Sequence, residues 1–128
     1  MVNAKLIHEW LQKADEDLAF AVSIIEDSPF YAQICFHFQQ SAEKYLKAVI
    51  VAYDLEFQKV HDLVALLKIC LERRPELSGL MSDCKLLNRF YIDTRYPVHW
   101  PTDYSKEKAY QAKEAAETIR DKIKACLK

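Results

Sequence analysis

The run Cys35-Phe36-His37-Phe38-Gln39-Gln40-Ser41-Ala42-Glu43-Lys44-Tyr45-Leu46-Lys47-Ala48 sets apolar residues at Cys35, Phe38, Ala42 and Tyr45, and the stripe continues through Val49 to Tyr53. Steps of three and four residues keep side chains on one face of an α-helix. Leu46 and Ile50 widen that face, which makes this the most buried helix by pattern. Its start is expected at Ser28-Pro29. Serine offers an N-cap oxygen there, and the missing N–H of proline costs nothing at the first helical position.

Working outward, Leu6, Trp10, Ala14, Leu18, Ala21 and Ile25 repeat with the same spacing and predict a first helix over about residues 3–26. Beyond Tyr53 the periodicity lapses over residues 54–59. A third helix is expected from about His61, carried by Leu63, Leu67, Cys70 and Leu71, until Pro75 forbids its continuation. A short turn containing Gly79 follows, then a fourth helix from about Leu80 through Cys84, Leu87 and Tyr91. Pro97 stops it and pushes Tyr96 away from helical ψ, leaving residues 95–103 irregular. Ser105 can cap a fifth helix whose seam of Ala109, Ala112, Ala116, Ile119, Ile123 and Cys126 repeats close to the coiled-coil period. No internal repeat, low-complexity tract or linker interrupts the series. The expectation is an all-α protein, an antiparallel bundle of four to five helices forming a single domain over residues 1–128.

Composition narrows the function classes. A chain of 128 residues, 51% hydrophobic and 29% charged, has the balance of an ordered soluble domain with one core. Gly79 is its only glycine, where average usage would give about nine. Phosphate-binding and dinucleotide-binding loops depend on glycine for sharp turns and close backbone approach, so these devices are nearly excluded. Cys35, Cys70, Cys84 and Cys126 lie far apart inside apolar patterns, which reads as reduced core thiols rather than a disulfide framework. No apolar run approaches the roughly 20 residues that span a bilayer, and a cytoplasmic location without membrane contact is expected. The net charge of −1 gives no global attraction to nucleic acid. It is unevenly spread: residues 1–27 hold six acids and two bases, residues 105–128 seven bases and four acids. A weakly basic last helix and an ordinary solvated helix face both fit that count.

Helical metal sites usually project ligands from Glu-x-x-His pairs, and none occurs; His8, His37, His61 and His99 have no fixed spacing. Neither a metal nor a cofactor is expected. Tyr91 and Arg95, four residues apart, share a helix face, and Pro97 lets the chain bring His99 back toward the helix end beside Tyr96. A guanidinium can clamp phosphate and an imidazole can exchange protons near neutral pH; equally, an arginine at a helix C-terminus can cap carbonyls beside a surface histidine. His61-Asp62 is a second candidate, whose plain reading is an N-terminal acid favoured by the helix dipole. Trp10 and Trp100 read as packing or interface anchors.

The run 35–48 resembles the signature of the HEPN family, in which an aromatic start leads into Gln-Gln-x-Ala-Glu-Lys-x-Leu-Lys-Ala. Three further features follow in the family's order: Ala14-Asp15-Glu16-Asp17-Leu18-Ala19, His61-Asp62-Leu63, and Tyr91-Ile92-Asp93-Thr94-Arg95-Tyr96-Pro97. The resemblance implies a helical bundle that forms homodimers, often encoded beside a minimal nucleotidyltransferase and used in toxin–antitoxin, antiviral or RNA-processing systems. The expectation built on it is a homodimeric binding module that engages a nucleotide, an RNA or the nucleotidyltransferase partner through a cleft lined by Tyr91, Arg95 and Tyr96, with His61 a further candidate binding residue and Lys47, which matches the signature, open to packing, dimer contact or ligand binding. Catalytic branches are metal-independent endoribonucleases in which four to six residues separate an arginine from a histidine. In this chain three residues separate Arg95 from His99, Pro97 among them. The alternative expectation is such a ribonuclease, with Arg95 on the scissile phosphate and His99 moving a proton; the Arg-Tyr-Pro variant looks more like the small stand-alone members.

Overall fold

Apolar spacing becomes five α-helices: α1 (Ala4–Ile24), α2 (Tyr31–Ala52), α3 (Leu63–Cys70), α4 (Met81–Arg95) and α5 (Lys106–Cys126), with a 3-10 helix over Pro75–Leu80 ahead of α4. The computed structural model describes residues 3–95 and 104–128, with the backbone alone for 92–95. No strand occurs among them.

The helix ends follow local chemistry. Asn3 caps α1, its Oδ1 accepting from the Leu6 N–H at 3.0 Å. Ser105 caps α5 as its sequence position predicts, with its Oγ accepting from the Lys108 N–H at 3.2 Å. Ser28 does not cap α2. Its Oγ accepts from the Phe30 N–H at 3.2 Å, so Ser28-Pro29 form a turn ahead of the helix, which starts at Tyr31 without a side-chain cap. The third helix also ends earlier than Pro75 alone would require. Pro75 forces Arg74 out of helical geometry (φ −131°, ψ 73°), and the N–H groups of Arg73 and Arg74 both turn back to the Cys70 carbonyl. Gly79 lies inside the 3-10 helix rather than in a free turn; the positive-φ residues among those described are Asn3 (59°) and Asp54 (52°).

Helix α2 touches each of the other four helices and holds the largest set of buried residues, led by Tyr45, Phe38, Ile34, Leu46 and Ile50. Cross-helix pairs show that α1 runs antiparallel to it: Asp17 meets Lys44, Asp15 meets Tyr45, and Trp10 lies by Lys47. The same logic sets α1 against α5, where Glu26 pairs with Lys106 and Asp15 with Lys124. The predicted α5 seam is buried throughout, and its alanines let the backbone approach α2 closely. On α1 the inward turn falls on Ile7, while Leu6 remains 37% exposed.

All four cysteines are buried and unpaired. Burial pushes the thiols of Cys35, Cys70 and Cys84 from 9.0 up to about 12, so they behave as small apolar groups.

Candidate functional site

A line of polar side chains runs along α2 where the apolar pattern leads one to expect packing alone. Gln39, Glu43 and Lys47 follow one another at steps of four, and each is at most 6% exposed. Buried charge must be paired and hydrogen-bonded to persist. Glu43 meets that demand with both oxygens. Oε2 accepts from Lys47 Nζ at 2.9 Å; Oε1 lies 2.9 Å from His61 Nδ1 and accepts from Gln40 Nε2 at 3.3 Å. Lys47 Nζ in turn stands 5.8 Å from the centre of the Trp10 ring and 5.7 Å from that of Phe57, so two aromatic faces complete its surroundings.

His61 is the outer end of this line, with 46% of its side chain exposed. Four independent ties fix it. Glu43 holds Nδ1, and Gln39 Nε2 donates to the His61 carbonyl at 3.0 Å. Asp62 caps α3, its Oδ1 accepting from the N–H groups of Val64 and Ala65 and from Asn88 Nδ2 on α4. Asn88 Oδ1 accepts from the Leu63 N–H at 2.8 Å, which locks the head of α3 against α4. Finally, the imidazole lies flat against Tyr91, ring centres 4.3 Å apart and planes 15° apart.

The tautomer follows from the partner. A carboxylate only accepts, so Nδ1 carries the hydrogen and Nε2 presents its lone pair when the ring is neutral. Among the described residues no group bonds Nε2.

Tyr91 extends the aromatic surface: its ring lies 6.0 Å from Phe36, Phe36 lies 5.7 Å from His37, and His37 meets Phe20 edge-on at 4.9 Å. Arg95 follows Tyr91 by four residues as the last residue of α4. Of the residues singled out from the sequence, His61 and Tyr91 are therefore brought into contact, while of Arg95 only the backbone, at the end of α4, is described. Lys47 stands behind them, turned toward Glu43 rather than solvent. Tyr96 and His99 lie outside the described residues. Sequence reasoning left Glu43 without a role and did not name Gln39 or Asn88 as site residues. The available signal was an acid and a base four residues apart inside the most apolar helix.

A second polar cluster joins α1, α2 and α5. The buried Tyr45 hydroxyl donates to Asp15, whose other oxygen accepts from Lys124 Nζ at 2.9 Å. Burial and the neighbouring carboxylate both raise the Tyr45 pKa, burial more strongly. A shallow cleft of about 570 Å³ opens beside it, lined by Arg120 and Lys124 among Asp15, Glu117 and Asp121. That mixed, mutually paired charge suits interhelix locking better than ligand capture. Among the described residues no three His, Cys, Asp or Glu side chains are grouped to hold a metal ion, and no helix is long and apolar enough to cross a membrane.

The sequence profile of the HEPN domain matches residues 7–126, and the chain belongs to that family. Similar proteins share its extent. A protein of Methanocaldococcus jannaschii named "Putative toxin MJ1304" is 25% identical over 139 aligned positions, covering 98% of this chain and 91% of that protein. The crystal structure of ST0689, an archaeal HEPN homologue, superposes with a TM-score of 0.77 at 24% identity, covering 95% of this chain and 98% of the other.

Proposed function

We propose that this HEPN protein is a homodimeric binding module of a toxin–antitoxin-like pair, engaging a nucleotide or RNA, or a minimal nucleotidyltransferase partner, at the surface formed by His61, Tyr91 and Arg95. The observation that carries this reading is the imidazole of His61, fixed by a buried carboxylate and stacked on Tyr91 one helical turn before an arginine. Arginine is a permanently charged, planar phosphate ligand, and aromatic surface beside it suits nucleotide recognition. Family membership and the name borne by the Methanocaldococcus relative support the system-level assignment. Exposed apolar side chains, Leu6, Phe20, Phe30 and Phe57, support self-association.

The test is incubation of the purified protein with single-stranded RNA in excess chelator, with binding and strand length followed together. A binding module retains intact RNA and loses affinity on Arg95→Ala, by roughly tenfold for one charge-assisted phosphate contact. Cleavage that survives chelator and disappears in both Arg95→Ala and His99→Ala would instead make the protein a metal-independent endoribonuclease. Absence of both binding and cleavage would leave the nucleotidyltransferase as the partner to test by co-purification.

A further inference from the structure

We infer that a cavity at the C-terminal end of α2 binds a small organic cation, an amine or ammonium group carrying an apolar ring or short chain, with Asp54 as its charge partner.

The cavity measures about 420 Å³, within the roughly 300–1,000 Å³ of small-molecule sites. Leu6 and Trp10 on α1, Ile50 on α2, and Leu55 and Phe57 beyond its end give it a mainly apolar wall. Among the described residues Asp54 is the one charged group that lines it. It shares no lining residue with the surface at His61 and Tyr91, so it is a separate site.

The backbone shows that the fold does not need an acid at position 54. The Leu55 N–H donates to the Ile50 carbonyl at 2.9 Å and the Asp54 N–H to the Val51 carbonyl at 3.2 Å, the paired bonds that close a helix through a left-handed residue. Asp54 is that residue (φ 52°), at a position where glycine is the unstrained choice. Its charge is also of the wrong sign. A helix C-terminus carries partial negative charge, and the last turn of α2 has no basic residue to balance it. Among the described residues no hydrogen bond or ion pair engages the carboxylate, which stands exposed at the edge of the apolar hollow. Conformation and charge both disfavour an aspartate here, and nothing within the fold offsets either cost.

A cationic ligand does. Its ammonium meets the carboxylate and the negative end of α2, while its ring or chain lies against Leu6 and Trp10. The Trp10 and Phe57 rings already face the Lys47 ammonium at 5.8 and 5.7 Å, so they contribute apolar area, and selection by charge falls to Asp54. Lys47 is itself neutralised by Glu43 at 2.9 Å and opposes an incoming cation little.

The experiment titrates the full chain with phenethylamine, phenethyl alcohol and hydrocinnamate, ligands with one phenyl ring and different charge, and follows the methyl resonances of Leu6, Ile50 and Leu55. The amine should bind roughly 2- to 5-fold tighter than the alcohol, the span of one exposed ion pair, and the carboxylate should bind most weakly. Asp54→Asn should equalise amine and alcohol without weakening the alcohol. Asp54→Gly should do the same and raise the Tm by roughly 2–4 °C, because glycine relieves the left-handed strain. Equal affinity of the parent protein for amine and alcohol overturns the inference, as does a preference that survives Asp54→Asn. Failure of all three ligands to shift these methyl groups overturns it too. A lower Tm in Asp54→Gly would show that the carboxylate serves the fold, and would overturn it on that ground.

Discussion

Buried thiols set the response of this protein to alkali. Cys35, Cys70 and Cys84 sit in the core with pKa values raised from 9.0 to about 12 by desolvation. Below pH 9 they are protonated in both folded and unfolded chains, and their contribution to stability is complete. Above it the unfolded chain ionises first, so stability is lost as pH rises toward 12, by up to about 1.4 kcal/mol per pH unit for each thiol. The raised Tyr45 hydroxyl acts in the same direction at still higher pH. Urea midpoints measured on either side of pH 9 should fall steeply on the alkaline side; a flat profile would show that the thiols are hydrated. In the native state a thiol reagent should label few of the four, and all of them after denaturation.

At the scale of elements, α3 is the informative case because it is only 8 residues long, below the length at which a helix sustains itself. Its head depends on Asp62 and Asn88, which are themselves joined at 2.9 Å. Asn88→Ala leaves the Leu63 N–H without its partner and frees the end of α3; the expected loss is about 1–3 kcal/mol. It should also broaden the His61 imidazole resonances, since the ring is carried by the residue before the cap. Loss of stability without any change at His61 would show that Glu43 and Tyr91 suffice to hold it. Asp62 at the head of a helix was readable from residue type and position, whereas Asn88 was not: it sits 26 positions away, and helix periodicity reports which face turns inward, never what that face meets. For the same reason Ser28 misled. A serine before a proline satisfies the local rule for a helix start, yet the Ser28 hydroxyl serves the turn at Phe30.

For the whole molecule, the α2 and α5 stripes were legible almost residue by residue, because core positions of a helix that touches several neighbours must be apolar or small. The polar contents of that core were not. Tyr45 lies on the apolar stripe as any aromatic residue would, but its hydroxyl joins α1 and, through Asp15, the far part of α5. Tyr45→Phe should cost about 1–2 kcal/mol for that bond, with little cavity term. In a double-mutant cycle with Lys124→Ala it should couple measurably, because both act on the same carboxylate. Strict additivity of the two changes would mean that the three helices are held together by apolar packing alone.

The position of Trp10 has a spectroscopic consequence. Its indole faces the ammonium of Lys47 at 5.8 Å and the Phe57 ring at 5.9 Å, so the colour of its emission depends on whether that cation stays tethered to Glu43. With Trp100 replaced by phenylalanine, the protein would carry a built-in lamp behind His61, and events at the imidazole could be followed by light without attaching a dye.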